Sequence, residues 1–160
     1  QKKIEANELI MIDFGTIYHG YYSDITRTIG FGEVKPEIRE TYERLLAAQK
    51  SAVQAVSLEK TVDEIDQVAR QALEREGLAR YFSHNLGHGI GLSCHEYPAL
   101  APKNELQIQA NMTFTIEPGI YLPKEKFGIR IEDDVLVNDL GNAELLTEFS
   151  KEWITIDCNR

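Results

Sequence analysis

At 160 residues the chain can bury the core of one domain, and its 42% hydrophobic and 27% charged residues are a globular composition. The net charge of −9 argues against nucleic acid or an anionic membrane as a main partner. Two cysteines without metal or disulfide spacing, no membrane-length apolar run and no charged-then-apolar leader together predict a cytoplasmic protein.

A β-hairpin is predicted near the start of the chain. Residues 9–14 are apolar on both faces, which predicts a buried strand ended by Gly15. Residues 18–29, rich in Tyr, Thr and Ile, predict its hairpin partner. Because Asp13 lies at the end of the apolar strand, we do not expect its charge to be unpaired.

Two helices follow. Apolar residues recur at helical spacing over residues 36–56, after a turn marked by glycines and Pro36. A second helix is predicted to start at Thr61, where Thr61 and Glu64 have the capping-box spacing, and to stop near Gly77.

Three further strands are predicted over residues 112–117, 129–137 and 144–147. The order of strands, two helices and then strands predicts an α+β fold, in which helices pack on one curved antiparallel sheet.

Five residues on separate short motifs carry the chemistry: Asp13, Asp24, His88, Glu117 and Glu132. Strand alternation places Asp24, Glu117 and Glu132 on the polar side of otherwise buried strands. Carboxylates buried together are very costly unless cations lie between them, and two divalent metals would balance four carboxylates. The set therefore predicts a hydrolase with a dinuclear metal site.

In such a site two metals share and activate a hydroxide. Asp24 and Glu132 are the natural bridging candidates, and Glu117 is the best-placed proton carrier. Nucleophilic catalysis by Ser23 or Cys94 is not favoured, because neither has a strand-turn-helix elbow or an evident base partner. Acids elsewhere are predicted to be solvated: Glu33, Glu105, Asp134 and Asp139.

Three histidines lie within twelve residues: His84, His88 and His95. His84 and His88 have the spacing of a helical zinc pair, but the surrounding glycines disfavour a helix. An extended segment would place both on one face. No thiolate fits the cluster, so oxygen donors dominate and favour Mn²⁺, Co²⁺ or Fe²⁺ as much as Zn²⁺.

These motifs resemble those of the pita-bread metallopeptidases, which include aminopeptidase P, Xaa-Pro dipeptidase (prolidase), methionine aminopeptidase and the non-metal creatinase. The resemblance runs over residues 9–156. Three segments are most similar to bacterial aminopeptidase P and prolidase: residues 22–28, 87–98 and 117–121.

The resemblance implies a role for each site residue. Asp13 and Asp24 would bind one metal, His88 and Glu117 the other, and Asp24 and Glu132 would bridge the two. Glu117 would also be the catalytic proton shuttle. His84 and His95 match the histidines that contact the substrate and the reaction intermediate, and Arg130 and Thr26 match residues that lie behind the ligands.

By this resemblance the function is a dinuclear-metal exopeptidase that hydrolyses the bond between an N-terminal residue and proline, as an Xaa-Pro dipeptidase or an Xaa-Pro aminopeptidase. Its cofactors would be two divalent ions, Mn²⁺ first, with Co²⁺, Zn²⁺ or Fe²⁺ as alternatives. Three alternative functions stay open: a methionine aminopeptidase, a non-catalytic peptide-binding member of the fold, and a hydrolase of non-peptide substrates.

The resemblance also implies an organisation. Residues 1–160 would be the C-terminal part of a pita-bread catalytic domain, without the N-terminal domain and first helical pair. The chain starts at Gln1 and reaches a strand almost at once, which also predicts part of a longer protein. The partners would be a peptide with proline in second position and, in the full-length protein, a second copy in a homodimer, with no nucleic acid and no membrane.

Overall fold

The computed structural model describes residues 2–158, in which ten strands and two α-helices form. The helices are α1 (Pro36–Gln54) and α2 (Val62–Arg75), followed by a short 3₁₀ helix, Ala79–Tyr81. The strands are β1 (Glu8–Tyr18), β2 (Tyr21–Phe31), β3 (Gly87–Gly89), β4 (Glu96–Leu100), β5 (Thr113–Ile116), β6 (Gly119–Leu122), β7 (Phe127–Arg130), β8 (Asp133–Val137), β9 (Ala143–Leu145) and β10 (Thr155–Ile156).

Hydrogen bonds arrange the described strands into three sheets. One has the order β1-β2-β10, another the order β4-β3-β5-β8-β9, and β6 pairs with β7. Neighbours are antiparallel except β10, which runs parallel to β2. The backbone N–H of Glu132 donates to the Thr26 carbonyl at 3.1 Å, and this bond joins the first sheet to the segment between β7 and β8.

Both predicted helices are confirmed. The Thr61 hydroxyl accepts from the Glu64 N–H and the Glu64 carboxylate accepts from the Thr61 N–H, so the capping box starts α2 as expected. The two helices pack on each other and on β4, β5 and β7. Their apolar faces meet the sheet in one core that includes Leu45, Ile65 and Phe114, all fully buried. Across residues 2–158, helices long and apolar enough for a bilayer are absent.

The first strand is present, but the prediction that it is buried is wrong. From Ile12 onward β1 is exposed, with Ile12, Phe14 and Ile17 at 41%, 52% and 57%. Within the described residues β1 is an edge strand that pairs only with β2, and no layer covers its outer side, meaning the surface formed by the exposed side chains of Ile12 and Phe14. Apolar sequence indicated burial, but burial requires an element to pack against.

The strand predicted over residues 129–137 is two strands. β7 pairs with β6 and β8 pairs with β5, and the chain changes partner at Ile131 and Glu132. The predicted alternation is still correct, because Ile129, Ile131 and Val135 are all fully buried.

Candidate metal centre

The five predicted site residues line one open cavity of about 610 Å³. Each arrives on a different part of the fold: Asp13 on β1, Asp24 on β2, His88 on β3, Glu117 just after β5, and Glu132 between β7 and β8. The structure thus brings the whole set together from segments that are up to 119 residues apart, from Asp13 to Glu132.

The register of the hairpin places its two aspartates side by side. Asp13 lies opposite Thr26 and Gly15 lies opposite Asp24, so the two carboxylates are diagonal neighbours on the same face. Gly15 is required here because a Cβ at this position would lie 1.8 Å from the Ser23 carbonyl oxygen. The Asp13 side chain is 51% exposed, unlike the others.

Donor atoms of Asp24, His88 and Glu132 lie within 4.8 Å of one another, a spacing that suits a metal ion. His88 Nε2 is 3.9 Å from Asp24 Oδ2 and 3.3 Å from Glu117 Oε1. His88 Nδ1 lies 3.0 Å from the Gly89 carbonyl oxygen, which can only accept, so Nδ1 is the donor. That bond directs Nε2 at the carboxylates, the orientation that a histidine ligand needs.

The carboxylates destabilise one another's charge. Burial raises the pKa of Glu117 to about 7 and that of Glu132 to about 8. The charge of Glu117 is the next cause at Glu132, and the charge of Asp24 acts in the same direction on both. A cation between these groups would relieve the repulsion, so the residues present fit a divalent metal centre.

Arg130 and Thr26 contact the acidic residues from behind. The Arg130 guanidinium forms an ion pair with Asp13, and its Nε donates to the Thr26 hydroxyl at 3.1 Å. The Thr26 hydroxyl in turn donates to the Glu132 carboxylate. Both residues therefore contact the candidate ligands.

The other two histidines face the same region. A neighbouring cavity of about 340 Å³ is lined by residues that include His84, His88, His95 and Glu117. The His88 and His95 rings lie 4.0 Å apart between centroids. Burial lowers the pKa of His84. The sequence placed His84 and His88 on one face, and in the structure His95 lines the same cavity as these two histidines.

Tyr121 and Thr115 are site residues that the sequence analysis did not identify. The Tyr121 hydroxyl lies 3.2 Å from Arg130 Nη1 and 3.3 Å from His84 Nε2. The Thr115 hydroxyl donates to Glu117 Oε1 at 3.1 Å. Thr115 lies two residues before Glu117, so strand alternation puts both on one face, which is a signal that the sequence contains.

Cys94 also lines the cavity, and its thiol donates to Asp24 Oδ2 at 3.3 Å. Burial, followed by the Asp24 hydrogen bond and charge, raises the pKa of the thiol to about 11. It is therefore a thiol at neutral pH, which supports the view that Cys94 is not a nucleophile.

Asp134 was predicted to be solvated, and that prediction is wrong. The residue is buried, and its carboxylate accepts from the Asp24 N–H at 3.0 Å. Burial raises its pKa to about 6. Alternation along the strand gave the correct face, but not the depth of the residue below β2.

Comparison with known proteins gives consistent matches. The model of metallopeptidase family M24 matches residues 1–139. The Xaa-Pro dipeptidase of Pyrococcus furiosus is 46% identical over 153 residues, which are 96% of this chain and 43% of that protein. The chain thus spans less than half the length of the curated relatives it matches.

Solved structures match equally well. A dipeptidase from Pyrococcus horikoshii OT3 has a TM-score of 0.94 at 42% identity, over 98% of this chain and 43% of that one. The X-Pro aminopeptidase from Thermotoga maritima MSB8 has a TM-score of 0.90 at 40% identity, over 96% of this chain and 43% of that one. The α+β pita-bread fold expected from the sequence is confirmed.

Proposed function

Since the chain belongs to metallopeptidase family M24, we propose that it carries the metal centre of an exopeptidase that cleaves between an N-terminal residue and proline. The observation that carries the proposal is the convergence of Asp13, Asp24, His88, Glu117 and Glu132 on one cavity. The substrate class is supported by relatives whose names are Xaa-Pro dipeptidase and X-Pro aminopeptidase.

The proposed ligand set is the one implied by the resemblance to the M24 peptidases, and the shared cavity of the five donors supports it. Asp13 and Asp24 would hold one ion, His88 and Glu117 would hold the other, and Asp24 and Glu132 would be shared by both. When bound, the metals supply Lewis acidity and lower the pKa of water to near neutrality. We propose Mn²⁺, with Co²⁺, Fe²⁺ and Zn²⁺ as alternatives, because four of the five donors are carboxylates and one is an imidazole.

Glu117 is the proposed proton carrier. Its carboxylate lines the cavity beside His88 and the smaller cavity that His84 and His95 share, a position from which it can accept a proton and pass it on. It takes the proton of the attacking water and gives it to the departing proline nitrogen. The Thr115 hydroxyl holds its Oε1, which fixes the direction of the carboxylate.

His84 and His95 are the proposed substrate contacts. Both line the smaller cavity beside Glu117, where each ring can form a hydrogen bond with the bound peptide and the His95 ring can donate an N–H to a developing oxyanion. Arg130 holds Asp13 and Thr26 holds Glu132, so these two residues keep the ligands in place without themselves binding metal.

We propose that residues 1–160 are the C-terminal part of a longer catalytic domain. The share of about 42–43% of each relative's length and the uncovered apolar side of β1 both support this view. A homodimer of the longer protein is proposed with it. The free thiols of Cys94 and Cys158 fit the proposed cytoplasmic location.

The test is Mn²⁺-dependent cleavage of Ala-Pro and Ala-Pro-Ala, read by mass spectrometry. Both the present chain and a version extended to the length of its relatives are assayed, with Asp24→Asn as the inactive control. Release of alanine is expected, and the preferred peptide length separates a dipeptidase from an aminopeptidase. Cleavage of Met-Ala-Ser in preference to both would replace the proposal by a methionine aminopeptidase, and metal-free peptide binding without cleavage would replace it by a binding module.

A further inference from the structure

The segment that carries His84 is irregular, yet one turn of α2 holds it. Residues 82–86 belong to neither a helix nor a strand. Arg70 Nη1 donates to the Phe82 carbonyl at 3.1 Å, and Arg70 Nη2 donates to the His84 carbonyl at 2.7 Å. Asp66 Oδ1 accepts from the Leu86 N–H at 3.1 Å. Three hydrogen bonds from two side chains thus fix the backbone on both sides of His84.

The two side chains hold each other as well. Arg70 Nε donates to Asp66 Oδ2 at 2.6 Å, and Arg70 Nη2 donates to Asp66 Oδ1 at 3.0 Å. A helical pair four residues apart is ordinarily a solvated surface pair of small effect. Here Asp66 is fully buried, so its charge depends on this fork and on the Leu86 N–H.

Contacts continue from the pair to the His84 ring. The Arg70 guanidinium lies 4.3 Å from the Phe82 ring centroid, and the Phe82 ring packs edge-on against the His84 ring at 5.0 Å. The Tyr121 hydroxyl lies 3.3 Å from His84 Nε2, and the two ring centroids are 5.6 Å apart. The His84 ring therefore contacts both Phe82 and Tyr121.

The hydrogen bonds of the ring specify one tautomer. His84 Nδ1 lies 2.8 Å from the Asn85 carbonyl oxygen, which can only accept, so Nδ1 carries the proton. Nε2 is then the acceptor for the Tyr121 hydroxyl. The backbone of residues 82–86 contains the Asn85 carbonyl, and it also sets the distance between the His84 ring and Tyr121.

The same segment reaches a candidate metal ligand. The Glu117 N–H donates to the Leu86 carbonyl at 2.8 Å, and the Leu86 N–H is the group that Asp66 accepts. Asp66 and Arg70 are thus linked to Glu117 through a single residue, Leu86, and Arg70 also contacts the His84 backbone directly.

We propose that Asp66 and Arg70 are positioning residues for His84, holding its imidazole as the Nδ1–H tautomer with Nε2 toward Tyr121 and the cavity. Only the consequence for catalysis rests on the proposed function, because the position of the ring can be measured without any substrate. A pair that merely stabilised α2 would affect the melting temperature and leave the ring unchanged.

The test compares Arg70→Met with Arg44→Met. The control removes another ion pair to Arg44, which lies 3.3 Å from Glu76 with both side chains nearly half exposed. Each protein is loaded with diamagnetic Zn²⁺, and the His84 ring nitrogens are followed by ¹⁵N NMR, assigned by their loss in His84→Gln. Turnover of Xaa-Pro peptides is then measured on whichever version of the parent is active.

Arg70→Met is expected to average the two ring nitrogens of His84 between tautomers and to retain the parent's Zn²⁺ content. Turnover should fall by up to about 100-fold, as for a displaced catalytic group, with a smaller change in KM. Arg70→Lys should recover part of the turnover, and Arg44→Met should match the parent in every measurement.

The proposal is overturned if Arg70→Met leaves the ring signals at their parent values. If Arg70→Met does not fold, Asp66→Asn keeps the side-chain shape and gives the same test, with tautomer averaging expected and parent-like signals contradicting the proposal. A parent without peptidase activity would refute the proposed function alone, because the NMR comparison would still decide whether the pair positions His84.

Discussion

The two walls of the cavity differ in what supports them. His88, Glu117 and Glu132 lie on a wall backed by the main sheet and the helices, and all three side chains are largely buried. Asp13 lies on the other wall, an edge strand with exposed apolar neighbours and an ion pair to Arg130. The carboxylates on the covered wall are close together and buried, so a cation should stabilise them. The stability of the exposed wall should depend on whether another element packs against β1.

Substitutions on the covered wall should have the largest effect on metal binding. Glu132→Gln should abolish metal retention and turnover, because it removes the proposed bridging charge, whose oxygen lies within 4.8 Å of donor atoms of Asp24 and His88. Asp13→Asn should weaken metal binding less, because Asp13 is half exposed and paired with Arg130. Equilibrium dialysis with elemental analysis checks both, and equal losses from the two variants would show that the walls contribute alike.

A matched pair of phenylalanines tests the difference in packing. Phe114→Ala in the core should destabilise the chain by about 3–5 kcal/mol. Phe14→Ala on the exposed wall should cost within about 0.5 kcal/mol in this chain, because Phe14 is more than half exposed already. Urea unfolding provides the measurement, and a large loss from Phe14→Ala would mean that the outer side of β1 is covered in solution.

The pH dependence of the metal-free chain reports the crowding on the covered wall. The pKa values of Glu117 and Glu132, about 7 and about 8, are raised above their ordinary value, so the folded state binds more protons than the unfolded state. Stability should therefore fall as pH rises from about 5 to about 8, at about 1.4 kcal/mol per pH unit for each group in its window.

Thermal unfolding across that range measures the slope. Glu132→Gln should reduce the slope, most clearly above about pH 7, because it removes the group with the larger shift and leaves the raised pKa of Glu117 in place. Saturating Mn²⁺ should reverse it, because the metal favours the ionised carboxylates. A metal-free chain whose stability rises between these pH values would contradict the account.

A smaller change tests whether the Thr26 hydroxyl orients Glu132 on the covered wall. Thr26→Val keeps the shape of a fully buried side chain but removes the hydroxyl that contacts Glu132 and Arg130. Metal affinity should fall by about 10–100-fold. Thr41→Val is the matched control, because it removes a hydroxyl of α1 that donates to the Glu37 carbonyl and lies away from the cavity. Unchanged affinity in Thr26→Val would mean that this hydroxyl does not orient Glu132.

Local patterns predicted the parts of the fold that depend on neighbouring residues. Thr61 and Glu64 are three positions apart, so the capping box could be identified directly from the sequence and is present. Alternation placed Arg130, Glu132 and Asp134 on one face, and all three contact β2. Each of the five candidate site residues lies on a short motif, so all five could be proposed from the sequence, and the structure brings them to one cavity.

Features that depend on distant parts of the chain could not be predicted. The exposure of Phe14 depends on whether another layer covers β1, and the burial of Asp134 depends on how β8 lies under β2. The contact of Tyr121 with His84 joins residues 37 positions apart. The periodicity of residues within one strand or helix carries no information about contacts between residues this far apart in the sequence.

The central claim, that both walls together hold two metals, is tested most directly by anomalous diffraction at the manganese edge from Mn²⁺-soaked crystals. We expect two peaks about 3.5–4 Å apart, the separation of dinuclear hydrolase sites. One peak should lie between Asp13 and Asp24 and the other beside His88 and Glu117. A single peak, or peaks that avoid these residues at saturating Mn²⁺, would contradict the account.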